Sequence, residues 1–479
     1  MKIPELFHRS ALQFPDVIAI FDEQGTLSFH ELSTAIRHAA AKLQSHGINS
    51  GMGVGVLGSN SRYFIIMAYA VMECDAVVMP LSNQLSESEL TEVIQTAGLH
   101  AILDDCSRNV IYDDANAKEI ALHEIRWRLT INKTVNSSPR FAPHVKDPAL
   151  IRFTSGTTGT SKGVILSHTT IAERINAANV ALQLDPDERV LWVLSMAYHF
   201  VVSIILYLHH GTGIIICNNF NASAMLEMIN KFNATFLYVS PIHIRLLAND
   251  TGILKMDSVR KVISTSTAIS KVQCNDFLSR FNKPVSQAYG IIEIGLPVIN
   301  LQKSLESPEA IGYAVPGFEV AILDDDFNEL PASIQGHLAI RGPGMLDAYL
   351  SPPKLREDIL QHGWFMTGDL ASKNDDGLIK VEGRKKSMIN VAGNKVFPEE
   401  VETVLNHHPS IQLSRVCGYQ HALLGESVQA ELLVHPGKEK PDPEELRAYC
   451  RERLSPHKVP QKLIFVETLP LTNSGKLIR

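Results

Sequence analysis

Apolar and polar positions alternate between two periods along the first part of the chain. Ser28 and Glu31 stand in capping-box spacing and open a helical run to about His46. Residues 53–57 read as a strand, 61–72 as a helix, and 76–79 as a second, buried strand. Ser86 to Glu89 opens another helix, and 101–103 closes this unit with a short apolar run. Residues 115–148 are polar and weakly patterned. The alternation then resumes, with buried strands expected at 190–194, 213–217, 235–239 and 259–263 and helical stretches between them. Strands alternating with helices imply parallel sheets covered on both faces, an α/β fold. From about residue 312 the texture changes to short strands with Gly, Pro and Asp turns, and from 401 to a small α+β pattern.

Two long apolar stretches test the membrane alternative. Residues 64–81 contain Glu73 and Asp75, and 200–217 is broken by His209, His210 and Gly211. Neither offers about 20 uninterrupted apolar residues, so each predicts a buried helix followed by a buried strand, with no integral membrane segment.

At 479 residues the chain calls for two or more domains. Its 45% hydrophobic and 20% charged residues are those of a soluble globular protein. A formal charge of −7 argues against a nucleic-acid partner. The six cysteines are scattered with no C-x-x-C pair, which reads as reduced thiols of a cytoplasmic protein. The N-terminus shows no apolar core of a signal peptide.

The richest chemistry lies at 153–168. Thr154, Ser155, Gly156, Thr157 and Thr158, continuing through Gly159, Thr160 and Ser161 to Lys162, form a hydroxyl-rich loop between two apolar runs, 149–151 and 164–166. Glycines let the backbone approach a ligand, and successive N–H groups form an anion nest. Hydroxyls add donors and Lys162 adds a point charge, so the loop suits polyphosphate. It is not a Walker A loop, because Gly156 and Gly159 are three apart and Lys162 follows Ser161.

The string resembles the phosphate loop of the adenylate-forming (ANL) superfamily, which includes acyl- and aryl-CoA synthetases, peptide-synthetase adenylation domains and firefly luciferase. Four further segments match in order. Gln287, Ala288, Tyr289 and Gly290, running through Ile291 and Ile292 to Glu293, are similar to a string whose tyrosine stacks on adenine and whose glutamate helps hold Mg²⁺. Gly363 to Asp369 resembles the segment whose aspartate takes the ribose hydroxyls. Arg384 looks like the second ribose contact, at the hinge into a mobile C-terminal domain, and Gly393 like the glycine that admits pantetheine. Lys476 resembles the lysine that neutralises carboxylate and α-phosphate during adenylation.

The resemblance implies a large N-terminal region (1–383) of two α/β subdomains and a small β-barrel, followed by a small α+β C-terminal domain (384–479). It also implies the chemistry. With ATP and Mg²⁺, a carboxylic acid becomes an acyl-AMP with release of pyrophosphate. The C-terminal domain then rotates, and the thiol of coenzyme A or of a carrier-protein phosphopantetheine takes the acyl group. His199 matches the histidine presented near the acid, with Val201, Val202, Ile291 and Ile292 as apolar pocket candidates. No acidic residue lies from 193 to 208, so an α-ammonium would lack a partner, and an uncharged aryl or fatty acid is expected. An amino-acid adenylating enzyme and a catalytically weak adenylate-binding regulator are the alternatives. The departures are Ile292 in place of a phosphate-contacting threonine, residues 264–269 (with Ser266, Thr267 and Ala268) in place of the usual adenine loop, Ser387 and Asn390.

Overall fold

The computed structural model describes residues 1–85, 87–107, 117–122, 125–132, 141–154, 162–391, 394–421, 425–471 and 477. The chain packs as two units: Met1–Glu319 with Arg341–Gly363, and Val320–Ile340 with Trp364–Arg479.

The first unit holds two nine-stranded sheets. In one, Ile18–Asp22, Gly213–Ile216, Arg189–Trp192, Phe236–Val239, Lys261–Ser264 and Ser286–Ile291 run parallel side by side. Antiparallel strands Gly25–Ser28 and Gly295–Ile299 flank that parallel core. In the other, Ala101–Asp104, Gly53–Gly58, Val77–Ser82 and Pro148–Thr154 are parallel. The strands Gly53–Gly58 and Val77–Ser82 are buried at every position, as unbroken apolar runs between helical layers require.

Helices start where their caps dictate. Ser28 accepts from the Glu31 N–H and Glu31 reaches back to Ser28, so Phe29–Ser45 is helical. Both membrane-like stretches resolve as expected. Arg62–Glu73 is a buried helix leading into Val77–Ser82, and Phe200–Ile205 continues through Leu206–His209 to Gly213–Ile216. Among the described residues no helix is long and apolar enough to cross a membrane.

The polar, weakly patterned region contains structure that its pattern did not announce. It carries two strands: Ile125–Ile131 pairs antiparallel with Ala101–Asp104, and Ala117–Leu122 pairs antiparallel with Ile125–Ile131 at the sheet edge. Trp127 and Leu129 alternate with Arg126 and Arg128 and are fully buried, so this is a half-buried edge hairpin.

The second unit holds a four-stranded sheet (Glu319–Leu323, Gly336–Arg341, Phe365–Lys373, Ile379–Arg384) where a small barrel was expected. It also holds a five-stranded sheet built around the long pair Ile411–His421 and Gly425–Val434, covered by Pro398–Asn406 and Pro443–Arg451.

Candidate active site

Strands Pro148–Thr154 and Lys162–Ser167 form an antiparallel hairpin, with Ile151 opposite Ile165 and Thr154 opposite Lys162. The hydroxyl-rich loop is its tip. Ser155, Gly156, Thr157 and Thr158 lie outside the described residues, as do Gly159, Thr160 and Ser161. Gly163 is compelled by close approach. A Cβ there would come within 3.0 Å of Phe153, Ile151 and Leu350.

The hairpin base is fastened from the segment around residue 347. Asp347 accepts from the Ser167 N–H (2.6 Å) and the Thr170 hydroxyl (3.0 Å). The Leu350 N–H donates to the Gly163 carbonyl (2.7 Å), and Ala348–Tyr349 pairs with the second strand of the hairpin. Tyr349 is thereby set between two expected site residues. The Lys162 ammonium lies 4.8 Å from its ring centroid, and its hydroxyl donates to Glu293 Oε1 at 3.3 Å. Burial, with the Glu293 charge alongside, pushes the Tyr349 phenol well above its usual range, so it stays a donor.

Glu293 follows strand Ser286–Ile291, and its position is set through its backbone. Its carbonyl accepts from Leu346 N–H (2.7 Å) and from Arg174 Nη2 (3.2 Å). Arg174, on helix His168–Leu182, is 1% exposed. Its guanidinium also donates to the Ile292 carbonyl (2.7 Å) and twice to the Gly344 carbonyl (2.8 and 2.6 Å). Burial pulls its pKa down to about 9, opposed by the Glu293 and Asp347 carboxylates. Two glycines make room for it. Gly295 (φ +104°) and Gly344 (φ +69°) have left-handed backbones, and a Cβ on either would lie 2.7 Å from the Arg174 side chain.

Upstream in the same strand, Gln287 is buried. Its amide donates to the Pro308 carbonyl (2.9 Å) and accepts from the Ile269 N–H (3.2 Å), tying the strand to the 264–269 loop. Ala288 is buried, Tyr289 half-buried and Gly290 exposed, with Ile291 and Ile292 half-buried. In the loop, Ser266 takes a left-handed φ of +79°, and Thr267 and Ala268 are exposed. Ser266 Oγ lies 3.5 Å from His199 Nε2, so the structure brings the expected acid histidine beside the expected adenine loop. His199 ends a turn whose carbonyls at Ser195 and Met196 accept its N–H, and it meets the Trp192 ring edge-on at 6.3 Å. Asn60 clamps that turn, donating to the Leu194 carbonyl and accepting from the Met196 N–H, both at 2.8 Å. The next stretch, Phe200–Ile205, is a π-helical segment in which Val201 is buried and Val202 half-buried.

In the second unit Asp369 and Arg384 are opposite each other on paired strands, with Arg384 Nε 2.9 Å from Asp369 Oδ1. Asp369 is buried, and its N–H donates to the Thr367 hydroxyl (3.1 Å). Gly393 and Lys476 lie outside the described residues. Sequence reasoning missed Arg152, Arg174, Asn60 and Tyr349. The linear signal for Arg152 is a lone charge inside an apolar strand, whereas Arg174 follows Glu173 in a mixed helix and carries no such signal.

Among the described residues no group of three or more His, Cys, Asp and Glu could hold a metal ion. A single carboxylate, Glu293, with one neutral donor on it, fits Mg²⁺ that is held chiefly by substrate phosphates.

The AMP-binding enzyme family model matches residues 7–350, and the AMP-binding enzyme C-terminal domain model matches residues 400–476. A long-chain-fatty-acid–CoA ligase of Yersinia pestis is 26% identical, across 99% of this chain and 92% of the relative. The fatty acid–[acyl-carrier-protein] ligase ScoC of Streptomyces coeruleorubidus is 25% identical, across 97% of this chain and 92% of the relative. The solved o-succinylbenzoate CoA synthetase (MenE) of Bacillus subtilis superposes with a TM-score of 0.86 at 24% identity, covering 99% of this chain and 97% of the other, which establishes a shared fold. With the first match spanning most of the chain and the second its C-terminal part, the protein belongs to the AMP-binding enzyme family.

Proposed function

We propose that this chain is an AMP-forming acid–thiol ligase that activates an uncharged aryl or fatty acid as its acyl-adenylate and passes the acyl group to a thiol. The observation that carries this reading is the chain Lys162–Tyr349–Glu293 at the base of the hydroxyl-rich loop. It brings a cation and a carboxylate able to bind a metal together at the base of the hairpin, which supports the reading of residues 154–162 as the phosphate loop.

A carboxylate attacking the α-phosphate of ATP brings two anions together. Lys162 and Lys476 supply positive charge, and the loop 154–158 supplies donors to the phosphates. Bound Mg²⁺ adds charge neutralisation on the phosphate oxygens, with Glu293 as its protein ligand. Tyr289 stacks on the adenine between Ser266–Ala268 and Gln287–Gly290, and Asp369 with Arg384 takes the ribose hydroxyls. His199 orients the acid over Val201, Val202, Ile291 and Ile292. The acceptor is coenzyme A, or a carrier protein's phosphopantetheine, entering past Gly393. The curated relatives are named as ligases of fatty acids to coenzyme A and to acyl carrier protein, which supports both acceptors.

The switch between half-reactions requires a mobile C-terminal domain, which we place at 384–479 behind an adenylation domain of 1–383. The six cysteines are free thiols, four of them buried, in keeping with a cytoplasmic enzyme.

A pyrophosphate-exchange panel tests the reading. Neutral aryl and aliphatic acids are expected to drive exchange and α-amino acids to drive it poorly. A standard amino acid that outperforms every neutral acid removes the substrate class, and no acid-dependent exchange at all removes the reaction.

A further inference from the structure

One cation in the first unit has no part in the roles above. Arg152 lies on strand Pro148–Thr154, just ahead of the hydroxyl-rich loop. Its neighbours Ile151 and Phe153 pack into the apolar cluster with Leu81, Phe141 and Ile165, so strand alternation turns Arg152 to the opposite face. There its guanidinium lies 5.5 Å from the ring centroid of Tyr198, the residue before His199. It also lies within electrostatic reach of Glu293 and Arg174. Its Nε is sealed from solvent and meets no hydrogen-bond partner among the described residues.

Such a group is costly to keep without a function. Burial pulls its pKa down to about 10, with the Glu293 charge only partly opposing, and a buried donor without an acceptor adds to the cost. By contrast, the buried guanidinium of Arg174 is engaged with three main-chain carbonyls. Ile292 can donate nothing from its side chain. What Arg152 Nε lacks is therefore an acceptor, and what the Ile292 side chain cannot provide is a donor.

We propose that Arg152 is a catalytic cation of the adenylation step, whose guanidinium binds an oxyanion of the reacting centre and supplies the donor that Ile292 cannot. The proposal rests on the acid activation set out above. In that step a carboxylate oxygen forms a bond to the α-phosphorus, the bond from that phosphorus to the pyrophosphate oxygen breaks, and pyrophosphate leaves with the electron pair. No proton moves, and Arg152 stays charged throughout. Its planar fork suits paired oxygens of a carboxylate or of a phosphate. The shared chemistry is a tetrahedral or planar oxyanion, and binding measurements separate the two sources.

The test uses the full chain with Arg152→Met, Arg152→Lys and the double variant Arg152→Met/Ile292→Thr. Calorimetry measures the affinities for AMP, for the best acid of the panel, and for its non-hydrolysable acyl-sulfamoyl adenosine. In Arg152→Met, pyrophosphate exchange is expected to fall about 10²-fold in kcat, with KM for ATP held within about threefold. The sulfamoyl analogue is expected to bind about 10²-fold more weakly. Weakened AMP binding assigns the phosphate as the contact, weakened acid binding the carboxylate. Arg152→Lys keeps the charge and recovers part of the loss. Ile292→Thr is expected to restore about tenfold to Arg152→Met by returning a hydroxyl donor.

Wild-type affinity for the analogue together with wild-type exchange in Arg152→Met overturns the proposal. So does a loss of exchange that follows only the folded fraction, with no change in analogue affinity. If the methionine variant does not fold, the lysine variant decides. Analogue affinity down by about tenfold supports the contact, and unchanged affinity removes it. A wild-type chain that exchanges with no acid sinks the proposed reaction instead, and is read separately from the Arg152 variants.

Discussion

Replacing Arg174 with methionine tests the buried guanidinium directly. Arg174 satisfies the carbonyls of Ile292, Glu293 and Gly344. The Glu293 carbonyl keeps a second donor in the Leu346 N–H, so the substitution strips the Arg174 bonds from the part-buried Ile292 carbonyl and the buried Gly344 carbonyl, which have no such replacement bond among the described residues. Each orphaned acceptor costs about 1–3 kcal/mol, for a gross loss of about 2–6 kcal/mol. Methionine fills much of the same volume and spares the expense of burying a charge, so the net loss is expected at about 2–4 kcal/mol. Equilibrium urea unfolding followed by tryptophan fluorescence reads this, because Trp127 and Trp192 are fully buried in the same unit. The midpoint should drop with the slope preserved. Freed from its anchor, the Glu293 backbone should shift, and KM for magnesium–ATP in pyrophosphate exchange should rise. A variant within about 1 kcal/mol of wild type, with unchanged KM, would refute the claim that these carbonyls depend on Arg174.

Three other outcomes are expected. His168 accepts the Ile3 N–H on Nδ1 (3.1 Å), and burial, reinforced by Lys2, lowers its pKa from 6.5 to about 4. Because the folded pKa lies below the unfolded one, this stability is fully present above about pH 6.5 and is lost as pH falls toward 4, a difference of about 3 kcal/mol. His168→Gln should show a shallower fall in urea midpoint between pH 7.5 and 4.5, and an unchanged slope counts against it. Gly344→Ala should cost about 2–4 kcal/mol in the same unfolding assay, since its left-handed backbone and the Arg174 contact both oppose a Cβ. A neutral effect would mean that the helix and the 344 segment can part. Lys476→Ala should cut adenylation by about 10²–10³-fold yet leave thioester formation from supplied acyl-adenylate nearly normal. Equal losses in both half-reactions would deny Lys476 a role confined to the first.

The parallel cores were legible because each strand is an unbroken apolar run between caps and turns, as at Gly53–Gly58 and Val77–Ser82. The hairpin of Ala117–Leu122 and Ile125–Ile131 was not, although Trp127 and Leu129 alternate with arginines. Its neighbours are polar enough to mask so short a period of two. In the site, residues that sit in one contiguous string could be named from the string, as with Gln287 to Glu293. Arg152, Arg174, Asn60 and Tyr349 could not, because their roles arise from partners more than forty positions away in sequence. A lone arginine in an apolar strand marks an anomaly without naming its partner. Ser266 next to His199 is likewise a tertiary fact that neither segment announces.

The fastening of 344–350 has a consequence for inheritance and engineering. One short segment grips the hairpin strand through Gly163 and Ser167, the following helix through Arg174 and Thr170, and the Glu293 backbone through Leu346. The strand and helix are contiguous, but 292–295 and 344–350 lie far from them in sequence, and all behave as one part of the machine. A chimera that exchanges any one of them with a distant homologue would inherit mismatched halves of the same clasp. Recombination is therefore tolerated when 162–174, 292–295 and 344–350 travel together as a cassette. The turn and π-helical segment at 194–205 lie outside that cassette, clamped separately by Asn60, and are the exchange that would test the proposed acid pocket by itself.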